Sequence, residues 1–592
     1  MHPGKIYAAR LEQLKQQITR ARGRLQLLSV VRLVCFAGML VCGWQYIAKN
    51  FPPVWLLPFG ALLAVFVVAL AQYQKIKDHL LLLQTLEALN EKEQHLLATN
   101  ESLFDGGNDL VDEQHPFSSD LDVFGPASLF QHINRSGTLM GRQELADSLQ
   151  APLQDASAVK ARQEALKELA PKVEFRQLFS AHAMLSGETA GDRAALQAWL
   201  QLPITFLEKK WLRIVSWLSP ACLIACGVMF AYTHRYMPAA VFLIINWIIL
   251  GRYAKDIKDQ HTHLSNKEGI LRKFAQLLHM VRKEPSGTAT LLKTQQEEAK
   301  VADVALHRLA RISNALDQNI NLIVSVFLNS IILYSIHCLF SLEKWKAQYR
   351  DKVAGWLQVI ARMEALNSLA TFAFNHPTYI YPELNEEPGL VATALGHPLI
   401  PAEECVVNDI TVGRPQHFLI ITGSNMSGKS TFLRSVGSNL LLAMCGAPVC
   451  AEKFSFTPLH IMTSMRIKDS IARHTSYFQA ELLRLQQIVK ALQGGQQVFI
   501  LLDEILKGTN SADKLTGSRQ LITHLLEYSC LGMIATHDLE LGQMEQTYPQ
   551  SLRNYCFEST IQDNHLFFDY RIREGIAHNK NATFLMQQMG II

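Results

Sequence analysis

"LIITGSNMSGKSTFLRSVG", Leu419 to Gly437, decides the fold of the carboxy-terminal part of this chain. A short apolar run stops at a glycine, a glycine-bracketed loop follows, and Lys429, Ser430 and Thr431 open a helical pattern. Gly423 to Ser430 has the spacing G-x-x-x-x-G-K-S. Glycines let backbone N–H groups wrap a polyphosphate, and the helix that follows points its positive end at the same place. The binding set expected is Gly423, Ser424, Asn425, Met426, Ser427, Gly428, Lys429, Ser430 and Thr431. Lys429 reaches the β and γ phosphates, and the Ser430 hydroxyl ligates Mg2+.

Hydrolysis needs more than a cradle. "HFLIIT", "QVFILL" and "LGMIAT" are short, fully apolar runs bounded by polar or turn residues, each leading to a helical segment. That pattern predicts buried parallel strands of an α/β domain. "VFILLDE" ends one of them in Asp503, placed to hold the metal through water, and Glu504, placed to orient and polarise the attacking water. "GMIATHD" ends another at His537, where an imidazole can sense the γ phosphate. Lys429, Glu504 and His537 are the candidate catalytic residues, with Ser430 and Asp503 on the metal. "NYCFEST" and "HLFFDYRI" around "IQDN" predict a closing antiparallel hairpin.

The rest of the chain has a different character. Its 592 residues are too many for one core, and 49% of them are hydrophobic against 18% charged. The net charge of +4 is too mild for an electrostatic footprint of nucleic acid over the whole chain. The apolar excess sits in blocks. Residues 25–48 and 51–74 are each near the length of a membrane span, with Pro52 and Pro53 between them; 214–233 and 236–251 form a second such pair. Arg20, Arg22, Arg24, Lys75 and Lys77 flank the first pair, and Lys209, Lys210, Arg213, Arg252, Lys255 and Lys258 the second. The bias predicts a multi-pass protein of the cell membrane with its amino terminus and nucleotide loop on the cytoplasmic side. A fifth apolar block, 318–342, carries Asn319, Asn321, Asn329 and His337, polar groups that are expensive in hydrocarbon unless paired. A fifth crossing would also put the nucleotide loop outside, so the block is expected as a buried helix of a soluble core.

Scattered cysteines, Cys222 and Cys226 included, lack the companions of a metal site and suit buried or membrane-facing thiols in a reducing compartment. Residues 78–102 keep helical spacing and leave the membrane, whereas 105–122, rich in Gly, Asp and Ser, is expected as a linker. Three prolines in "FNHPTYIYPELNEEPG" mark a boundary near 376–390. The organisation expected is a helical region with a transmembrane hairpin over 1–104, the first part of a helical core over 121–205, a second hairpin over 206–258, the core continued as a lever over 259–385, and a P-loop domain over 386–592.

"TGSNMSGKSTFLRSVG" resembles the nucleotide-binding loop of the MutS family, and its Asn-Met pair is more specific than the generic loop. "LLDEILKGTNSADK", "ATHDLEL", "LGHPLIP" and the terminal "YRIREGI", with a helix after it, are similar to further elements of that family. So is "ASLFQHINRSGTLMGRQELADSLQAPLQD" for the helical core. The resemblance covers roughly 121–205 and 262–592. It implies an ABC-like ATPase domain that hydrolyses ATP with Mg2+ as a homodimer, each site completed by the partner's segment Gly508, Thr509, Asn510 and Ser511. Asn510 and Ser511 are thus the residues expected to act in trans. It also implies DNA binding and a mismatch-repair-related role. The sequence departs from the family where a mismatch-reading domain would precede the core: a membrane hairpin stands there, without the Phe-x-Glu wedge that would insert between bases. Lys514 stands where the family usually has glycine, and Asp538 follows His537 where an aromatic is common. The function expected is a membrane-anchored ATPase coupled to DNA. The alternatives are an ATP-driven membrane machine of ABC type, against which the missing L-S-G-G-Q counts, and a nucleotide-switched scaffold.

Overall fold

The computed structural model describes the chain apart from residues 1, 50–51, 265–267, 318–321, 467–476, 509, 529, 563–564 and 579–592. It begins with two long antiparallel helices, α1 (Pro3–Ala48) and α2 (Leu56–Thr99). Each is about twice the length of its apolar stretch. Near the turn the large apolar side chains face outward, with Trp44 72% exposed. Away from the turn Leu14, Ile18 and Ala21 interdigitate with Leu83, Leu86 and Leu89, and Phe104 and Ala181 close the seam. The base of the hairpin is bolted to the rest of the molecule. Glu93 meets the buried Arg135 guanidinium through both carboxylate oxygens and also accepts from Asn375 Nδ2 at 2.8 Å. The Tyr7 hydroxyl donates to Asn375 Oδ1 at 2.8 Å.

A helical core follows, made of α3 (Leu129–Ile133), α4 (Leu139–Gln150), α5 (Ala156–Leu169), α6 (Val173–Met184) and α7 (Ala190–Gln201). Polar residues start these helices: Ser128, Thr138 and Asp155 accept from first-turn N–H groups, and Thr189 forms a reciprocal box with Asp192. The second apolar hairpin is α8 (Lys210–Thr233) and α9 (Met237–Arg252), after which the chain bends by 55° into α10 (Ala254–Leu264). The core resumes with α11 (Glu268–Lys283) and α12 (Thr290–Asp317).

The fifth apolar block departs from expectation. It divides into α13 (Leu322–Ile332) and α14 (Tyr334–Tyr349), with an 80° bend where Leu333 adopts the left-handed conformation. The second half is a core helix, and Leu339, Leu342 and Trp345 are buried. The first half is not: α13 packs on α8 and α9 and leaves Phe327 64% exposed. Asn329 on α13 and His337 on α14 are paired within the protein, Asn329 Oδ1 accepting from Ser335 N at 2.8 Å and His337 Nε2 donating to Ser216 O at 3.1 Å. Asn319 and Asn321 lie outside the described residues. The core closes with α15 (Val353–Asn375).

The α/β part holds two sheets among the described residues. A four-stranded sheet in the order β1-β5-β2-β3 uses β1 (Glu383–Leu384), β2 (Gly389–Leu395), β3 (Asn408–Gly413) and β5 (Lys453–Phe456). A six-stranded sheet runs β10-β9-β4-β8-β7-β6. Its strands are β4 (Phe418–Gly423), β6 (His460–Ser464), β7 (Val498–Asp503), β8 (Leu531–Thr536), β9 (Leu552–Gln562) and β10 (His565–Glu574). All neighbours are parallel except β10 on β9. The helices are α16 (Lys429–Met444), α17 (Tyr477–Gln493), α18 (Ser511–Leu526) and α19 (Met544–Thr547). Both faces of the sheet are covered, which is why its central strands are apolar throughout.

The segment 105–122 is also not the linker its composition suggests. Phe117, Leu121 and Val123 are buried, and Asp120 accepts from Thr463 Oγ1 at 2.5 Å, Arg466 N at 2.8 Å and Met465 N at 3.1 Å. Asp122 pairs with Arg434 on α16 and with Arg466. Leu121 lies so close to Gly437 that a Cβ there would sit 2.6 Å from it. The segment is a packed brace between the helical core and the helix that follows the glycine loop.

Candidate active site

Parallel strands place their carboxyl ends together, and the loops leaving them form the crevice in which such sheets bind ligands. Register brings Thr422, Thr536 and Asp503 to one edge, through Thr422 opposite Thr536 and Asp503 opposite Ala535. The glycine loop springs from β4 and feeds α16. Gly428, with φ of +100°, turns the chain into that helix, and a Cβ there would press on Tyr570 at 3.1 Å. Met426, at φ +68°, is exposed at the loop tip.

Lys429 is buried and its ammonium donates to the carbonyls of Gly423 at 2.8 Å and Ser424 at 2.7 Å, which holds it across the mouth of the loop. Burial pulls its pKa below the ordinary lysine value, against the pull of the Glu504 and Asp503 charges. Ser430 Oγ donates to Asp503 Oδ2 at 2.5 Å. The other oxygen, Asp503 Oδ1, is buried and has no hydrogen-bond partner. Burial raises the Asp503 pKa, although the Ser430 hydrogen bond and the Lys507 charge oppose it.

A desolvated carboxylate with an orphaned oxygen beside a serine hydroxyl is a hard-oxygen donor set. It fits Mg2+, which takes few protein ligands and keeps the remainder for water and phosphate. Among the described residues no cluster of three or more His, Cys, Asp or Glu competes for a cation.

Glu504 does not continue β7. It turns to φ +48°, and its N–H donates to Ala535 O at 2.9 Å. Its carboxylate lies 3.4 Å from His537 Nδ1 through one oxygen and 3.3 Å from Lys507 Nζ through the other. Burial pushes its pKa up, but the Lys507, His537 and Lys429 charges outweigh that and leave it below the ordinary value, so it is ionised at neutral pH.

Lys429, Ser430, Asp503, Glu504 and His537 are therefore one cluster. Asn510 is not part of it: its side chain caps α18, accepting from Asp513 N at 2.9 Å and donating to Asp513 Oδ2 at 2.7 Å. Ser511 opens the same helix, and Thr509 lies outside the described residues, as does the helix expected after "YRIREGI".

Three participants escaped the sequence. Lys507 grips Glu504. Glu481 on α17 is buried and accepts from Leu506 N at 2.5 Å, which holds the turn after Glu504, where Leu506 is at φ +58°. Tyr570 reaches the loop because β10 is irregular between Phe568 and Ile572. Positive φ at Glu504, Leu506 and Tyr570 is the common cause, and no local pattern announces it.

Beside the cluster opens a cavity of about 550 Å³ lined by the glycine loop, Glu504, Tyr570 and the chain before β3. Its lining includes the polar Asn425, Ser427, Lys429 and Ser430 and the apolar Leu395, Leu399, Ile400 and Val406. His397 lines it, and burial together with the Arg434 charge drops its pKa to about 4, so the ring is neutral.

Fold, loop and carboxylate pair define a P-loop nucleotide-binding domain. Residues 419–588 match the family model MutS_V, MutS domain V, which supports a MutS-like family. That domain is the family's ATPase domain, and the match is consistent with nucleotide binding and ATPase activity.

Proposed function

We propose that this chain is a membrane-anchored, homodimeric ATPase that converts ATP and water to ADP and phosphate. The observation that carries the reading is the pair formed by Asp503, with its orphaned buried oxygen, and the ionised Glu504 at the same strand end, across from Lys429. The loop amides and Lys429 hold the polyphosphate. Ser430 and Asp503 hold Mg2+, which when bound neutralises charge on the phosphate oxygens. Glu504, steadied by Lys507 and His537, orients a water and accepts its proton. Water adds to the γ phosphorus as its bond to ADP breaks, and the negative charge that develops on the departing ADP would be neutralised by the Lys429 ammonium. The apolar side chains that line the cavity take the purine. Asn510, outside this cluster in its own chain, and Ser511 complete the partner's site in the dimer.

Among the described residues three helices are long and apolar enough to cross a membrane, and as many as five if each bent pair is one span. With basic residues at their outer ends, they support anchoring with the ATPase on the cytoplasmic side. At 11 residues, α13 rises about 16 Å, roughly half a hydrocarbon core, which is too short to cross by itself. A second reading, in which turnover is coupled to DNA, is favoured by the MutS domain V match. Binding of homoduplex and mismatched duplex that weakens with salt would support it, and no binding at low salt would remove it.

The test of the first reading is Mg2+-dependent ATP hydrolysis by the full chain in a neutral detergent. Lys429→Ala and Glu504→Gln are each expected to lower the rate by about 10²-fold or more. Unchanged rates in both would refute the assignment.

A further inference from the structure

Away from the nucleotide cavity, a second cavity of about 360 Å³ opens where α12 meets α14. Arg308 and Arg311, one helical turn apart on α12, line one side; Tyr334, His337 and Ser341 on α14 line the other. Both arginines are exposed, no carboxylate lines the cavity, and neither arginine has an acidic partner among the described residues. Two guanidiniums with no acidic partner among the described residues form a site for a phosphate-type anion; the groups opposite are already engaged, Ser341 Oγ donating to His337 O at 2.9 Å and His337 Nε2 to Ser216 O at 3.1 Å.

The position narrows the source of that anion. His337 is tied to the second apolar hairpin, by its contact with Ser216 O at 3.1 Å and by edge packing of Trp217 at 5.1 Å between ring centres. Trp217 is 70% exposed, the apolar Ile214 and Leu218 around it are exposed as well, and Lys210 and Arg213 stand one to two turns earlier on α8. Exposed tryptophan following basic residues marks the level at which a bilayer's headgroups lie. Basic pockets at the cytoplasmic end of membrane helices recognise anionic headgroups.

We propose that the α12–α14 cavity binds the phosphodiester headgroup of an anionic phospholipid, Arg308 and Arg311 gripping the phosphate. The site rests on the reading that the second hairpin lies in a bilayer. It would fix the height of the lever in the membrane and place a lipid against the bend at Leu333.

The experiment uses the full chain in neutral detergent, with lipid adducts counted by native mass spectrometry. Dioctanoyl phosphatidylglycerol should bind saturably, and the zwitterionic phosphatidylcholine of the same chain length more weakly. Arg308→Gln/Arg311→Gln should weaken the phosphatidylglycerol adduct about tenfold, while Arg20→Gln/Arg22→Gln at the other hairpin leaves it unchanged. ATP hydrolysis should persist in both variants, which shows that they fold. Equal loss from the two pairs, or none from the first, overturns the site. Displacement of the lipid by equimolar inorganic phosphate makes the ligand a free anion and overturns the lipid assignment. Alkaline extraction of the wild-type membrane fraction separates the premises. Release of the chain removes the bilayer reading and the site with it, whereas retention with unchanged binding in the variant removes the site alone.

Discussion

At the scale of single residues, the site's chemistry follows from burial set against nearby charge. Asp503 and Glu504 are adjacent, yet burial dominates the first and cationic neighbours the second, so their pKa values move in opposite directions. The same reasoning extends to Cys405, which lines the nucleotide cavity and whose pKa is pulled down to about 6, chiefly by the Cys450 thiol hydrogen bond. It is expected to react with iodoacetamide before the buried Cys445 and Cys530, whose pKa values burial raises, and saturating ATP with Mg2+ should slow that reaction. Peptide mapping of the alkylated full chain checks both statements.

Glu364 supplies a pH-dependent test. Burial raises its pKa from 4.5 to about 7, although Thr138 and Gly137 donate to it. Between those values the folded chain holds a proton that the unfolded chain has lost. Its contribution to stability is therefore present below pH 4.5 and lost as pH rises through about 7. Thermal midpoints of wild type and Glu364→Gln, compared at about pH 5 and about pH 8, should show the variant losing less on the way up. Equal losses would contradict this.

At the scale of elements, the glycine loop, Asp503, Glu504 and His537 were legible in the sequence because each motif is local and ends an apolar strand. The parallel strands and the final hairpin were legible for the same reason. The brace at 105–122 was not. Its Gly, Asp and Ser content is that of a loop, and what buries it is contact with residues such as Thr463, 343 positions away from Asp120. The bend at Leu333 was equally hidden, because an unbroken apolar block gives no sign of a left-handed residue inside it. Since Asp120 satisfies three donors, Asp120→Ala should cost about 1–3 kcal/mol and loosen the seat of α16. Denaturant unfolding followed by tryptophan emission measures it, and an unchanged midpoint would show the brace to be passive.

At the scale of the whole molecule, the chain joins the candidate nucleotide site to apolar hairpins through a continuous helical body. The bolt between Glu93, Arg135 and Asn375 links the first hairpin to α15, and the cluster of Phe206, Leu212, Leu250, Ile336 and Leu339 links the second to α14. The brace from Asp120 and Asp122 then connects that body to α16, directly behind the glycine loop. A change at the phosphates therefore has a packed route toward the apolar hairpins. All of this depends on nucleotide entering the cavity beside Lys429. Equilibrium binding of ATP to full-length Glu504→Gln, with Mg2+ and then with EDTA, tests it most directly. The account predicts saturable uptake with Mg2+ that weakens sharply on chelation and again in a second variant carrying Lys429→Ala. Absence of uptake, or uptake indifferent to both Mg2+ and Lys429, would contradict it.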